Sequence, residues 1–166
     1  MITSDQLGSQ IIREAARFVG LREVRPNSSW DNPATPGPDA ALVLELKTLM
    51  RPSPWQDGWA YCAAFAEAAV RAALIRLNIK PVDADKFLRV MTPHCMTSAR
   101  AFKRLNLLSE YPQPGAIWLA QHGATDQGHA GIVTTQDPQP TRQMRIATIE
   151  GNTSLDASNA RSEERR

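Results

Sequence analysis

The first twenty residues carry a helical pattern of apolar positions. Thr3 and Gln6 have the spacing of a capping box, in which each side chain binds the backbone amide of the other residue. Behind them, apolar side chains recur every three or four residues, at Leu7, Ile11, Ala15, Phe18 and Val19. The pattern predicts an amphipathic helix that runs up to Gly20.

Three further helices are predicted in the middle of the chain. Half of the 12 prolines fall in 25–54, which predicts a loop interrupted by a short helix over about 38–50. A third helix is expected over 62–78, where apolar residues form one broad, alanine-rich stripe that would allow close approach to a sheet. After a loop over 81–93, with proline at both ends, a fourth helix is predicted over 97–106.

The last third of the chain changes to short apolar runs that are typical of strands. Three strands are predicted over 115–120, 129–135 and 143–150, and Asp137 with Pro138 marks the turn between the last two. Helices followed by an antiparallel meander predict an α+β domain.

Length and composition are those of one soluble globular domain. The chain has 166 residues, of which 42% are hydrophobic and 22% charged, enough for a single core. We expect this domain to span 1–155 and the polar stretch 156–166 to form a disordered tail. The formal net charge is +2 without a basic block, which argues against nucleic acid as the main partner.

The cysteines and the N-terminus exclude further classes of protein. Cys62 and Cys95 are too few for a disulfide framework, and no CxxC motif or close histidine pair indicates a zinc site. The first residues lack the basic and apolar regions of a signal peptide, and no apolar run approaches membrane-spanning length. We therefore expect synthesis in the cytoplasm without a signal peptide, and no membrane insertion.

The stretch WAYCAAF places a cysteine where a helix is predicted to begin. At this position the partial positive charge of the helix N-terminus would stabilise the Cys62 thiolate. His129 is the best placed base, because it begins a strand after the loop 121–128. On the next strand, Glu150 or Asn152 would reach the far ring nitrogen of His129 and orient it. These residues predict a Cys-His-Glu/Asn catalytic unit.

The remaining cysteine and the aromatic residues admit structural interpretations. Cys95 also lies at a predicted helix start, but the adjacent His94 points in another direction, so a structural role is favoured. Trp118 lies at the centre of a strand and is predicted to be part of the core. Trp55 and Trp59 flank the nucleophile loop and are candidates for a substrate groove.

Four motifs occur in the order, and at about the spacing, of a known family. The segments DGWAYCAAF, QPGAIWL, GHAGIVT and TIEGNTS resemble the CHAP family of cysteine amidases and peptidases. That family belongs to the papain-like group, together with the NlpC-type cell-wall enzymes. The resemblance covers most of the chain and is closest in kind to the small CHAP-like proteins of phage lysis systems and bacterial toxin repertoires. It implies a papain-like fold with the nucleophile helix packed on an antiparallel sheet.

The resemblance also implies roles for individual residues. Cys62 would be the nucleophile, His129 the general base, Glu150 the orienting acid and Asn152 a fourth polar member. Tyr61, with the two tryptophans of the nucleophile loop, would contact substrate. Relatives commonly have Trp or Gln at the position of Tyr61, so the side chain that would bind the oxyanion is left open.

Two further features of the chain can be compared with that family. Relatives usually continue into another strand after EGNT, whereas this chain continues into a polar stretch. Some CHAP enzymes bind calcium, but Asp57 has no acidic companions, so no metal site is predicted.

The function implied by the resemblance is cleavage of an amide bond in the peptide of peptidoglycan, by a thiol mechanism that needs no cofactor. We expect an antibacterial toxin delivered by a secretion system, or a phage-type lysin released by a holin, that acts in the periplasm or cell wall. A toxin would have a cognate immunity protein that blocks the Cys62 cleft. The alternatives are a CHAP-like module that binds cell-wall peptides or a protein without turnover, and a cysteine protease that acts on proteins.

Overall fold

The computed structural model describes residues 2–21, 40–56, 59–136 and 146–151. Within these residues the chain forms five helices and three strands, which confirms the predicted α+β class. None of the described helices is long and apolar enough to cross a membrane. The elements are α1 (Ser4–Ala16), α2 (Ala40–Met50), α3 (Cys62–Arg76), α4 (Pro81–Leu88), α5 (Cys95–Arg104), β1 (Ile117–Gln121), β2 (Gly128–Gln136) and β3 (Ile146–Glu150).

Helix α1 begins with the predicted capping box. The Thr3 hydroxyl accepts a hydrogen bond from the Gln6 backbone amide at 3.2 Å, and the Gln6 side chain accepts one from the Thr3 amide at 2.9 Å. The helix ends at Ala16, earlier than the predicted Gly20. The chain then tightens into i to i+3 hydrogen bonds, such as that from the Phe18 amide to the Ala15 carbonyl.

Helix α3 is the central element of the fold. It begins at Cys62, as predicted, and packs against α1, α2, α4 and the sheet. The alanines make this possible because small side chains let neighbouring elements approach on several sides, so the buried surface is wider than the single stripe predicted. Phe65 contacts Phe18, in the turn after α1, edge-to-face, with ring centroids 6.5 Å apart.

The prediction of a loop over 81–93 was wrong, because α4 lies within it. Pro81 occupies the start of the helix, where its missing N–H is not needed and its fixed φ is favourable. Helix α5 also begins earlier than predicted, at Cys95. The His94 ring caps it by accepting a hydrogen bond from the Thr97 amide at 3.3 Å.

The sheet is an antiparallel meander in the order β1-β2-β3. Residues directly opposite each other share a face of the sheet. One row across the strands is Ile117, Ile132 and Ile149, and it packs into the main hydrophobic core. The next row is Trp118, Gly131 and Glu150, and by the alternation of side chains it faces the other way. The register thus separates a core face from a polar face.

Several sequence predictions fall outside the described residues. These are the first residues of the short helix at 38–39, the turn at Asp137 and Pro138, the beginning of the last strand at 143–145, Asn152, and the tail 156–166. Strand β3 is described from Ile146 onward.

Candidate active site

Cys62 is the first residue of α3 and is buried. The preceding Tyr61 makes no side-chain cap to the helix. The first amides of a helix have no partner within the helix, and they carry its partial positive charge. The backbone N–H groups of Ala63, in the same helix, and of Ala130, in β2, both act to lower the pKa of the Cys62 thiol.

His129 and Glu150 form a hydrogen-bonded pair across two neighbouring strands. His129 is the second residue of β2, and Glu150 is the last residue of β3, where it lies opposite Gly131. The His129 Nε2 and Glu150 Oε2 atoms are 2.9 Å apart, and both side chains are about four-fifths buried. Because Glu150 holds Nε2, the ring nitrogen left for the Cys62 thiol is Nδ1.

The pKa of the Cys62 thiol is lowered from its ordinary value of 9.0. Burial acts in the opposite direction and is the largest single influence. The hydrogen bond from His129, the charge of its ring and the two backbone amides together outweigh burial. The balance favours the thiolate.

The pKa of His129 is raised to about 9. The largest cause is its hydrogen bond to Cys62, followed by that to Glu150, while burial acts to lower the value. The shifts of the thiol and the imidazole have opposite directions and the same physical source. Each favours a thiolate beside an imidazolium, the reactive form of a cysteine nucleophile.

Gly151 brings the end of β3 against the beginning of α3. A Cβ atom at this position would lie 2.7 Å from the Tyr61 ring and 2.8 Å from the Phe65 Cβ. Such distances are too short for a side chain, so the close approach requires glycine. Glu150 is thereby held next to the helix that carries Cys62.

The side of the His129 ring is covered by Trp118 of β1. The two rings meet edge-to-face, with centroids 5.5 Å apart. A Cβ atom on Gly131 would lie 2.5 Å from Trp118 Nε1 and 2.6 Å from Glu150 Cγ. Because Gly131 has no side chain, the side chains of Trp118 and Glu150 can both extend across the middle strand to His129. The prediction that Trp118 belongs to the core was wrong, because it is only partly buried and packs against His129, outside the hydrophobic clusters.

The remaining cysteine and histidines have other partners. Cys95 is buried and donates a hydrogen bond from its thiol to the His129 carbonyl at 3.1 Å. Burial, and then the charge of Cys62, raises the pKa of Cys95 to about 11, so its thiol stays protonated at neutral pH. His94 caps α5, and His122 is exposed in the loop between β1 and β2.

The aromatic residues predicted to bind substrate differ in exposure. Trp55 is buried in the main core, and its indole N–H donates to the Trp59 carbonyl at 3.3 Å. Tyr61 is buried as well, whereas the Trp59 side chain is 50% exposed. Trp59 thus offers a substrate the most surface of the three, and their role in binding stays a prediction. Asn152, the fourth predicted site residue, lies outside the described residues.

The three side chains of the site are of kinds that can transfer protons and attack a carbonyl carbon. Among the described residues, no three His, Cys, Asp or Glu side chains are grouped so that they could hold a metal ion. Comparison of the chain with family models, with curated proteins and with solved structures finds no match. The geometry of Cys62, His129 and Glu150 and the motifs in the sequence are therefore the features that point to a function.

Proposed function

We propose that the protein is a cysteine amidase or endopeptidase that cleaves an amide bond in the peptide of peptidoglycan. The observation that carries the proposal is the hydrogen bond between His129 and Glu150 at 2.9 Å, beside a Cys62 thiol at the start of α3 whose pKa His129 lowers. A helix N-terminus, a paired imidazole and an orienting carboxylate are the three devices that activate a thiol. The papain-like architecture belongs to the same proposal.

In the first half of the reaction, the Cys62 thiolate attacks the carbonyl carbon of the scissile amide. A C–S bond forms, and the carbonyl oxygen becomes an oxyanion, which the backbone amide of Cys62 helps to bind. The His129 imidazolium gives its proton to the leaving nitrogen as the C–N bond breaks. Glu150 holds the ring and stabilises its charge, and the product is a thioester with a free amine.

In the second half, water hydrolyses the thioester. Neutral His129 now acts as the base that removes a proton from the attacking water. The C–S bond breaks and the carboxylic acid leaves, which returns the thiolate beside the protonated imidazole. No cofactor takes part in either half.

The choice of peptidoglycan as substrate is supported by the four CHAP-like motifs. The half-exposed Trp59, next to the nucleophile loop, would pack against the peptide. This substrate places the activity in the periplasm or cell wall, as expected for a delivered antibacterial toxin or a phage-type lysin. A cognate immunity protein stays a prediction for the toxin.

Digestion of purified peptidoglycan tests the proposed function. The wild-type protein is expected to release soluble fragments whose masses identify the bond that is cut, because each cut creates a carboxyl group on one product and an amine on the other. Cys62→Ala, which lacks the thiol, is the matched control and is expected to release none.

Two other results of the digestion would contradict the proposed function. If intact peptidoglycan survives while unfolded casein is cleaved by the wild type and not by Cys62→Ala, the protein is a protease. If neither substrate is cleaved, the amidase proposal is wrong.

The pH dependence of alkylation separates an enzyme from a binding module. We expect Cys62 to react with iodoacetamide below its ordinary pKa of 9.0. As the pH falls through about 9, His129 gains its proton and stabilises the thiolate, so the reactive form persists. It is lost when the pH falls through the lowered pKa of Cys62.

Mass spectrometry of the two cysteine peptides measures this reaction. Cys95, with a pKa of about 11, is the internal control and should react only at much higher pH. His129→Gln should shift the Cys62 profile upward, because the imidazolium is lost. A binding module would instead give a Cys62 profile at or above pH 9 that does not depend on His129.

A further inference from the structure

The Glu150 carboxylate has a second partner on its own strand. Thr148 and Glu150 are two residues apart in β3, so their side chains project from the same face of the sheet. The Thr148 hydroxyl donates a hydrogen bond to Glu150 Oε1, while Glu150 Oε2 is 2.9 Å from His129 Nε2. Each oxygen of the carboxylate is thus bound by a different side chain.

The two hydrogen bonds hold different oxygens of the Glu150 carboxylate, and together they fix its orientation. The bond to His129 holds one oxygen, but rotation about the terminal torsion of a glutamate has broad minima and would let the carboxylate turn. The bond from Thr148 holds the other oxygen and so fixes the plane of the carboxylate. Threonine suits this task because its branched Cβ restricts the first side-chain torsion, and its backbone is paired with Val133 in the sheet.

We propose that Thr148 is a positioning residue for the Glu150 carboxylate and, through it, for the His129 ring, a role that rests on the proposed function. The series then runs from Cys62 through His129 and Glu150 to Thr148. Its last member lies in a regular strand, where a supporting hydrogen bond is held more rigidly than in a loop.

Another threonine of the sheet provides the contrast. The Thr134 hydroxyl in β2 donates to the Ala147 carbonyl at 3.0 Å, a bond between a side chain and the backbone that does not involve the site. Both residues lie in strands, although Thr134 sits in the β-bulge of β2 between Val133 and Thr135. The Thr134 hydroxyl binds a backbone carbonyl, whereas the Thr148 hydroxyl binds the carboxylate of the proposed catalytic unit.

The test compares Thr148→Val, Thr148→Ser and Thr134→Val. Valine keeps the shape of threonine and favours strands, so folding is retained while the hydroxyl is lost. Serine restores the donor. The first measurement is an NMR titration of the His129 ring, which requires no substrate. The groups that face this ring are Cys62 from α3, Glu150 from β3 and the uncharged Trp118 from β1.

We expect Thr148→Val to lower the His129 titration midpoint from about 9, because a freely rotating carboxylate stabilises the imidazolium less. Thr148→Ser should restore most of the shift, and Thr134→Val should titrate like the wild type. In peptidoglycan digestion, Thr148→Val should lower kcat roughly tenfold, about the loss of one hydrogen bond to a charged group. KM should not change, because Thr148 does not touch substrate.

A folded Thr148→Val protein with the wild-type midpoint would overturn the proposal. So would equal losses of Tm in both Thr148 variants without any shift of the midpoint, since that indicates a purely structural role. The titration separates this proposal from the proposed function. If the wild type cleaves no peptidoglycan but Thr148→Val lowers the midpoint, the positioning role of Thr148 is supported and the proposed peptidoglycan hydrolysis is refuted.

Discussion

Cys62→Ala is expected to reduce peptidoglycan hydrolysis by at least about 10⁴-fold, the scale on which loss of a catalytic nucleophile acts. Cys95 is not expected to replace the thiolate, because its thiol donates a hydrogen bond to the His129 carbonyl and has a pKa of about 11. The fold should persist, since alanine favours helices and occupies the next two positions of α3. The rate of fragment release and the thermal unfolding curve measure the two effects.

Cys95→Ser is the matched control for this experiment. Serine keeps a donor for the His129 carbonyl, so the strand and the ring should stay in place and most activity should remain. The assignment of the nucleophile would be wrong if Cys62→Ala still released fragments while a folded Cys95→Ser did not.

Glu150→Gln is expected to lower kcat by two to four decades, a range of about 10²–10⁴-fold suggested by loss of the orienting acid in a related triad. Glutamine can keep a hydrogen bond to His129 but carries no charge to stabilise the imidazolium. The His129 pKa should therefore fall from about 9, and the pH at which the activity declines on the alkaline side should fall with it. A pH–rate profile of fragment release measures both changes.

Glu14→Gln provides a matched control for the loss of a buried carboxylate. Glu14 is buried and pairs with Arg17 at 2.8 Å and with Arg76 at 3.4 Å. Arg76 ends α3, roughly 20 Å from Cys62 at 1.5 Å per residue. This variant should lower the free energy of unfolding without changing kcat. Equal kcat values for Glu150→Gln and the wild type would show that another group orients His129.

The helices show which structural features can be predicted from residues that are near each other in the chain. The capping box at Thr3 and the start of α3 at Cys62 follow from residues that are near each other in the chain, and both were predicted. Helix α4 replaces a predicted loop, because proline is common in loops and is equally suited to the first turn of a helix, where Pro81 lies. The spacing of residues alone does not distinguish these two uses.

The candidate site also contains residues that the sequence predicts and residues that it does not. Cys62, His129 and Glu150 were selected from the chemistry of their residue types, their predicted elements and the CHAP-like motifs, and the structure brings them together. Trp118 and Gly131 were not connected with the site. Their contacts depend on the register between strands, because a shift of one residue would turn the Trp118 side chain to the opposite face and would no longer pair it with Gly131.

The role of Thr148 could be predicted from the sequence only in part. The alternation of side chains along a strand places it on the same face as Glu150, so its proximity could have been deduced from the motif TIEGN. Whether its hydroxyl donates to the carboxylate or to a backbone carbonyl, as Thr134 does, depends on the neighbouring strand.

Local patterns in the sequence are enough to predict the α+β class, the order of most elements, the cysteine at a helix start, and the histidine and glutamate on successive strands. These features depend on periodicity, capping and residue chemistry, which act over a few residues. Three features appear only in the folded protein: His129 Nε2 binds Glu150, Trp118 covers the ring, and Gly131 and Gly151 leave room for these contacts. Such contacts join residues that are distant in the chain, and the register and packing of the folded protein alone define their distances.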